Sequence, residues 1–258
     1  MIWPHHWSCR KGCRSHGYVA SLATRACAAS SLNSVSALAS LNSTDPRKPP
    51  RFIVVEGPVG AGKTTLARKL AHSFGHEPLL ERAEENPFLE EFYRHRARNA
   101  LATQMHFLIQ RVRQVDTIRQ TDMFQPARVA DFLIEKDRLF ARLNLDANEY
   151  ALYETVYERL VSSTPRPDLV VYLQAPVDVL IERIRQRGIS FEQLIERRYL
   201  EQLNEAYSQF FHFYDDAPLL IVNAAAIDFA NDENHYTELV DYLLNARSGR
   251  QYFNPTFF

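Results

Sequence analysis

The sequence predicts an α/β fold in which a mainly parallel sheet is flanked by helices. Short apolar segments rich in β-branched residues, such as residues 51–55, alternate with longer stretches of helical periodicity. Strands that are separated by helices pair in parallel and are covered on both faces. The 258 residues suffice for a large domain of this class, and no apolar run approaches the length of about 20 residues that crosses a bilayer.

The predicted elements follow one another from residue 51 onwards. Proline supports several boundaries, since Pro126 ends a long connection and Pro176 stands at the first position of a helix, where its missing amide costs little. The predicted strands are residues 51–55, 78–80, 128–130, 168–173 and 219–222, and the predicted helical stretches are residues 63–74, 87–120, 136–144, 147–162, 176–186, 191–212 and 234–246. These elements place residues 51–258 in one domain.

The charged residues are distributed unevenly along the chain. The formal net charge is −1, which gives no basic field for nucleic acid, so we expect neither a nucleic-acid partner nor a membrane partner. Residues 1–44 carry +4 and contain no carboxylate, whereas the remaining residues carry −5. The N-terminal part is therefore compositionally distinct from the rest of the chain.

Residues 1–50 are predicted to be a disordered extension and linker, because no periodic pattern organises them. Their basic, serine-rich composition is also typical of a mitochondrial transit peptide. The third interpretation is a metal site, although the spacing of its candidate ligands matches no zinc motif; these are His5, His6, Cys9, Cys13 and His16. The predicted location is the cytoplasm, or the mitochondrion if residues 1–44 act as a transit peptide.

A glycine-rich loop joins the first predicted strand to the first predicted helix. Residues 57–64, GPVGAGKT, fit the pattern G-x-x-x-x-G-K-[ST], in which glycine lets backbone amides approach phosphates at a helix N-terminus. Lys63 is expected to reach the β- and γ-phosphates, and the Thr64 hydroxyl is expected to bind Mg²⁺. The sequence thus predicts a P-loop three-layer fold that binds ATP with Mg²⁺ through Gly57, Gly60, Ala61, Gly62, Lys63, Thr64 and Thr65.

Further stretches carry a family resemblance over residues 51–254. They are VEGPVGAGKT (55–64), LERAEENPF (80–88), ADFLIEKD (130–137), RIRQRG (183–188), YLEQLN (199–204) and YFNP (252–255). In order and spacing they resemble the deoxynucleoside kinase family, and its bacterial deoxyadenosine/deoxyguanosine kinase branch in particular. The resemblance implies transfer of the γ-phosphate of ATP to the 5′-hydroxyl of a deoxyribonucleoside in nucleotide salvage, with purines favoured, by a homodimer.

The resemblance also implies that Glu81 is the catalytic carboxylate. A carboxylate within about 3 Å of the attacking hydroxyl can orient it and accept its proton during transfer. The position at the end of the second strand suits this role, because ligands bind at the carboxyl ends of parallel strands. Glu84 and Glu85 remain alternatives by position.

Spacing and resemblance together predict the remaining residues that bind the nucleoside, which accepts the phosphate. Gln104 and Arg111 are seven residues apart and share one face of a helix. The resemblance implies that Gln104 bonds the nucleobase, with Arg111 beside it and paired with Asp137. It further implies that Tyr93 and Glu192 bind the 3′-hydroxyl of the sugar.

Three more residues are predicted to act on the phosphates and their metal. Asp131 ends a strand, where a P-loop enzyme needs an acid to hold Mg²⁺ or its water. Arg183 and Arg187 are four residues apart on a helix, so both guanidinium groups are expected to converge on one phosphate. Two positions depart from the family pattern, since Phe132 and Ile189 stand where arginine is common.

Two other functions are compatible with a P-loop. One is a nucleoside monophosphate kinase of the thymidylate type, which would need a clamp for a second phosphate. The other is a non-catalytic switch that binds ATP and signals by changing shape. The acceptor-side motifs argue against the switch, whereas an assay of nucleoside against nucleotide acceptors would separate the two kinases.

Overall fold

The computed structural model describes residues 48–119, 126–161, 164–246 and 248–255. The predicted extension, with its transit-peptide and metal-site alternatives, lies outside the described residues up to position 47 and stays a prediction. The predicted ends of two helices, at residues 120 and 162, also lie outside the described ranges.

Every strand pair in the described part of the chain is parallel. The strands are β1 Phe52–Glu56, β2 Glu77–Leu79, β3 Arg128–Ala130, β4 Leu169–Gln174, β5 Leu219–Asn223 and β6 Arg250–Phe253. Their order in the sheet is β2-β3-β1-β4-β5-β6. Because β1 lies between β3 and β4, connections leave it in opposite directions, which opens a crevice at the carboxyl end of β1.

The helices largely follow the predicted segments. Their bounds are α1 Lys63–Phe74, α2 Leu89–Arg94, α3 Arg96–Arg119, α4 Lys136–Asn144, α5 Ala147–Leu160, α6 Val177–Arg187, α7 Arg197–Phe213 and α8 Glu233–Asn245. Local chemistry explains several ends; for example, Asp146 and Glu149 form a capping box at the start of α5. Within the described residues, no helix combines the length and apolar character needed to cross a membrane.

The sheet separates two hydrophobic clusters. Ile53 and Val55 pack with side chains of α1, α6 and α8 on one face, whereas Val54 packs with side chains of α4 and α7 on the other. This alternation is the expected consequence of a strand that is buried on both sides. The predicted α/β fold, with helices on both faces of a parallel sheet, is confirmed.

The predicted helical stretch 87–120 is interrupted. His95 has φ −142° and ψ 71° between α2 and α3, and Asn99 has φ −124° and ψ 15° inside α3. The charged run around His95 provides no apolar stripe that would hold these turns in one straight helix. As a result, Tyr93 lies on a different helix from Gln104 and Arg111.

Two further differences lie in the C-terminal half. The predicted helix 191–212 begins only at Arg197, and a 3₁₀ turn at Glu192–Leu194 precedes it. Strand β6 was not predicted, because its side chains are mostly exposed and lack the apolar run that marked the other strands.

Candidate active site

A cavity of about 890 Å³ opens at the carboxyl ends of β1, β2 and β3. It gathers most of the predicted site residues, although Gly57, Ala61, Asp137 and Arg183 are not part of its wall. The predicted residues that line it are Gly60, Gly62, Lys63, Thr64, Thr65, Glu81, Tyr93, Gln104, Arg111, Asp131, Arg187 and Glu192.

The loop 57–64 fits tightly against β4 and α6. Gly57 has φ +153°, and a Cβ there would lie 2.6 Å from the carbonyl oxygen of Leu173. Gly60 has φ +86°, and a Cβ there would lie 2.8 Å from the carbonyl oxygen of Leu180. Both positions therefore require glycine on two grounds, backbone conformation and close approach.

Helix α1 starts at this loop and presents unsatisfied amides. Its N-cap is Gly62, which has no side chain to bond the first-turn N–H groups, and those groups have no partner within the helix. Lys63 Nζ donates to the carbonyl of Pro58 over 3.1 Å. Burial lowers the pKa of Lys63, and the charge of Lys136 lowers it further. A bound polyphosphate would offset both effects, because it brings negative charge to the amides and the ammonium.

Thr64 and Asp131 are in direct contact. Thr64 Oγ1 donates to Asp131 Oδ2 over 2.5 Å, and the amide of Glu81 donates to Asp131 Oδ1 over 2.6 Å. A hydroxyl and a carboxylate are hard oxygen donors that suit Mg²⁺. Among the described residues no three His, Cys, Asp or Glu side chains are grouped to hold a metal, so an ion here would complete its shell with phosphates and water.

Glu81 is held between cations. Its Oε1 accepts from Arg111 Nε over 2.7 Å and lies 3.7 Å from Lys136 Nζ, while 17% of its side chain is exposed. Burial alone would raise the pKa of Glu81, but the charges of Arg111, Lys136 and Lys63 outweigh it and lower the pKa to about 2. The carboxylate is therefore ionised at neutral pH.

The two rival acids lie in more solvated surroundings. Glu85 pairs with Arg82 over 3.0 Å, and both side chains are more than half exposed. Glu84 is exposed, although it reaches the rim of the cavity. Only Glu81, of the three, is placed among the buried cations beside the P-loop.

Asp137 fixes the two polar residues of α3. Gln104 Nε2 donates to Asp137 Oδ1 over 2.5 Å, and Arg111 Nη1 donates to Asp137 Oδ2. The Tyr153 hydroxyl donates to Asp137 Oδ1 over 2.7 Å. Arg111 thus bridges Glu81 and Asp137, and although burial disfavours its charge, these carboxylates raise the pKa of Arg111. The predicted pairing of Arg111 with Asp137 is present, with Asp137 behind the cavity wall rather than in it.

Tyr93 and Glu192 come together despite lying on separate elements. The Tyr93 ring stacks on Phe191, with ring centroids 6.4 Å apart and an interplanar angle of 8°. Glu192 is buried and pairs with Arg187. Burial, together with the neighbouring Tyr199 and Glu192, raises the pKa of Tyr93 well above its usual range, so its hydroxyl keeps its proton.

Arg183 and Arg187 do not converge, contrary to the prediction. Arg183 Nη2 donates to the carbonyl of Ala224 over 2.7 Å, and its Nη1 donates to that of Ala61 over 3.4 Å. Arg187 instead binds Glu192. The reason is local: buried carbonyls satisfy the guanidinium of Arg183 beside the P-loop, whereas the carboxylate of Glu192 holds that of Arg187.

Sequence reasoning missed a buried ion pair below the P-loop. Lys136 Nζ lies 3.1 Å from Glu56 Oε1, and both side chains are almost fully buried. Glu56 also accepts from the amide of Leu133 and the hydroxyl of Tyr207, each over 3.0 Å. Lysine is usually exposed, so Lys136 carried no signal beyond its place in the stretch 130–137.

The family model for deoxynucleoside kinase matches residues 53–246. The chain belongs to the deoxynucleoside kinase family. This kinase is 38% identical to the deoxyguanosine kinase of Bacillus subtilis (strain 168) over 160 residues, which cover 60% of this chain and 76% of that protein. It is 31% identical to the deoxyadenosine/deoxycytidine kinase of the same organism over 200 residues, which cover 74% and 91%.

Solved structures agree with this family. The deoxyadenosine kinase from M. mycoides with bound dCTP has a TM-score of 0.64 and 29% identity, and the match covers 75% of this chain and 98% of that one. The resemblance inferred from the motifs is confirmed, and the protein is a phosphotransferase of the nucleoside kinase type. Neither the thymidylate-type kinase nor the non-catalytic switch is favoured.

Proposed function

We propose that this kinase transfers the γ-phosphate of ATP to the 5′-hydroxyl of a purine deoxyribonucleoside. One observation carries the proposal: the ionised carboxylate of Glu81 lines the same cavity as Lys63 of the P-loop and Gln104 of α3. Phosphoryl transfer depends on placing an acceptor hydroxyl in line with a phosphate whose charge is neutralised. A carboxylate between a phosphate cradle and a base-binding amide meets that requirement.

In this proposal Glu81 orients the hydroxyl and receives its proton. The 5′-oxygen forms a bond to the γ-phosphorus as the bond from that phosphorus to the departing ADP oxygen breaks. A carboxylate with a pKa of about 2 is a weak base, so Glu81 first accepts a hydrogen bond and takes the proton late, when the new P–O bond has formed. Arg111 keeps the carboxylate in place through its two contacts with Glu81.

The phosphate side is assigned to the P-loop and its neighbours. Lys63 and the first-turn amides of α1 would bind the phosphates, while Thr64 and Asp131 would hold Mg²⁺, which neutralises phosphate charge when bound. Arg187 lines the cavity and supplies a further cation there. Arg183 contacts the carbonyl of Ala61 behind the loop, so we assign it to positioning the P-loop.

The nucleoside side is assigned to the opposite wall. An amide both donates and accepts in one plane, so Gln104 can pair with a nucleobase edge while Asp137 fixes its orientation. Tyr93 and Glu192 would bind the 3′-hydroxyl as donor and acceptor. The purine preference is supported by the relative named for deoxyguanosine, and the second relative is named for deoxyadenosine together with deoxycytidine.

A panel of acceptors tests the proposed function. The purified protein is mixed with ATP, Mg²⁺ and each of the four common deoxynucleosides, and ADP release is measured alongside product mass. We expect the highest kcat/KM with a purine deoxynucleoside and no turnover with nucleoside monophosphates. Turnover with monophosphates alone, or ADP release that no nucleoside stimulates, would contradict the proposal.

Replacing Gln104 by alanine tests the base site. We expect KM for the nucleoside to rise about tenfold or more while kcat stays within about threefold, because the lost bonds serve binding in both ground and transition states. Gln110→Ala is the matched control on the same helix, since Gln110 does not line the cavity and its amide bonds the carbonyl of Arg82 and the carboxylate of Glu85. Equal KM values in the two variants would place the nucleobase elsewhere.

We also infer a cytoplasmic homodimer. The inference rests on the family resemblance and on the bacterial relatives, which do not support the mitochondrial alternative. A subunit interface could bury the exposed apolar side chains on α3 and α5, which are Ile109, Leu152 and Leu160. Light scattering during gel filtration should give twice the mass of one chain.

A further inference from the structure

We propose that Lys136 is a catalytic cation that contacts the phosphoryl group during transfer, a role that rests on the proposed function above. Lys136 is the first residue of α4, and its side chain is 2% exposed. It lines the same cavity as Lys63 and Glu81. No sequence motif singled it out, and its role follows from its position.

The ammonium of Lys136 has donors to spare. A lysine ammonium carries three N–H groups, and the bond to Glu56 at 3.1 Å uses one of them. The 3.7 Å separation from Glu81 is longer than a hydrogen bond, so that carboxylate attracts the ammonium without occupying a donor. Donor capacity is therefore left on a side chain that borders the cavity.

The charge around Lys136 points to an anionic ligand. Burial and the charge of Lys136 lower the pKa of Lys63, and the neighbouring carboxylates only partly offset them. Both ammonium groups border the cavity, so a phosphoryl group bound there would add negative charge that favours their charged forms. The nearby Phe132 is buried and apolar and offers no charge, which leaves Lys136 as the cation that α4 brings to this side.

A phosphoryl group in transit fits this arrangement. As the 5′-oxygen bonds to the γ-phosphorus and the oxygen of ADP leaves, negative charge spreads over the three equatorial oxygens of the phosphoryl group. Lys136 Nζ donates a hydrogen bond to one of these oxygens and keeps its proton. The proton of the 5′-hydroxyl goes to Glu81, so the lysine supplies charge and takes no part in proton transfer.

Glu56 makes this cation possible. A buried ammonium without a countercharge is strongly destabilised, and Glu56 supplies that charge from the end of β1. Removal of Lys136 alone would leave Glu56 buried and uncompensated. A single substitution can therefore fail through stability, and a paired substitution is needed to separate folding from catalysis.

The test compares Lys136→Met with the double variant Glu56→Gln/Lys136→Met. The double variant removes both buried charges, so its melting temperature should recover relative to the single variant. We expect kcat to fall about 10²-fold or more in both variants, with KM for the nucleoside within about threefold of wild type, because the lost contact belongs to the transition state. Arg138→Met is the matched control, since Arg138 lies on the same helix, pairs with Glu154 and is 41% exposed.

Binding provides a readout that does not depend on turnover. We expect both variants to bind Mg²⁺ and ADP alone as the wild type does. Their affinity for ADP with aluminium fluoride, Mg²⁺ and a deoxynucleoside should fall about 10²-fold, because that complex mimics the transferring phosphoryl group.

Recovery of kcat in the double variant to within about threefold of wild type would overturn the proposal, because Lys136 would then serve only to neutralise Glu56. Unchanged affinity for the aluminium fluoride complex would overturn it as well. A wild-type protein that phosphorylates no nucleoside fails at an earlier step, and that result contradicts the proposed function before any variant is measured.

Discussion

Replacing Lys63 by alanine is expected to reduce phosphorylation of any deoxynucleoside by about 10³-fold or more, with the loss in kcat. The ammonium of Lys63 stands at the N-terminus of α1, where the first-turn amides lack a side-chain cap, and in the proposed function it follows the γ-phosphate as it moves. Steady-state assays with saturating ATP and nucleoside measure the effect.

Lys69→Ala is the matched control for this variant. Lys69 lies on the same helix, and its Nζ binds Glu233 over 2.6 Å and the carbonyl of Phe229 over 3.1 Å. We expect its kcat to stay close to that of the wild type. Substantial turnover by Lys63→Ala, at a level near that of the control, would show that the loop 57–64 is not the phosphate cradle.

Replacing Glu81 by glutamine is expected to lower kcat about 10²-fold or more while ATP binding is unchanged. Glutamine retains the size of the side chain but neither accepts a proton nor attracts the hydroxyl as strongly. Calorimetric titration with ATP and steady-state kinetics with a deoxynucleoside separate binding from transfer.

Glu85→Gln is the control for this variant, because Glu85 is an acid of the same stretch that pairs with Arg82 on the exposed side. A loss of kcat in Glu85→Gln together with normal turnover in Glu81→Gln would show that Glu85, and not Glu81, is the catalytic carboxylate. We expect the reverse.

The ionised carboxylate of Glu81 should also affect how the free energy of unfolding depends on pH. Burial raises the pKa of Glu81, but Arg111, Lys136 and Lys63 lower it from 4.5 to about 2 in the folded protein. The resulting stabilisation is present above pH 4.5 and is lost as the pH falls from 4.5 toward 2. In chemical denaturation, any stability advantage of the wild type over Glu81→Gln should therefore shrink across that range.

The main features of the fold could be predicted from sequence because local signals and burial agree there. Residues 51–55 are apolar and β-branched and become β1, buried on both faces. The helix that follows the P-loop was predicted at the residues where α1 is found. In both segments the residues that favour the local structure are also the ones that are buried. The sequence alone therefore suffices to predict these two elements.

The predicted and observed elements differ where tertiary contacts, rather than local sequence signals, determine the backbone conformation. The backbone leaves helical geometry at His95 and Asn99, which no proline or glycine marks. Ile195 lies between the 3₁₀ turn and α7 and is partly buried against a cluster that includes Phe92 and Tyr199, a position that helical periodicity alone does not distinguish. β6 is an edge strand in which only Phe253 is buried, so its apolar signal was weak.

In the candidate site, too, residues within one short motif could be predicted, whereas contacts between distant parts of the chain could not. Gly57 and Thr64 could be placed from the motif alone, because their spacing defines one short loop. The contact of Lys136 with Glu56 joins residues 80 positions apart, and only the packing of α4 against β1 brings them together. Arg183 illustrates the opposite case, since a helical spacing of four residues does not fix which way a guanidinium turns.

Strand β6 has a consequence for how the protein behaves in solution. It pairs with β5, whose residues 219–222 are Leu-Leu-Ile-Val, and so covers the edge of that apolar strand. Its residue Phe253 is buried. Without Arg250–Phe253, β5 would present unpaired backbone groups beside a hydrophobic surface, which is a template for sheet-to-sheet aggregation. A chain truncated before Arg250 is therefore expected to aggregate more readily than the full chain.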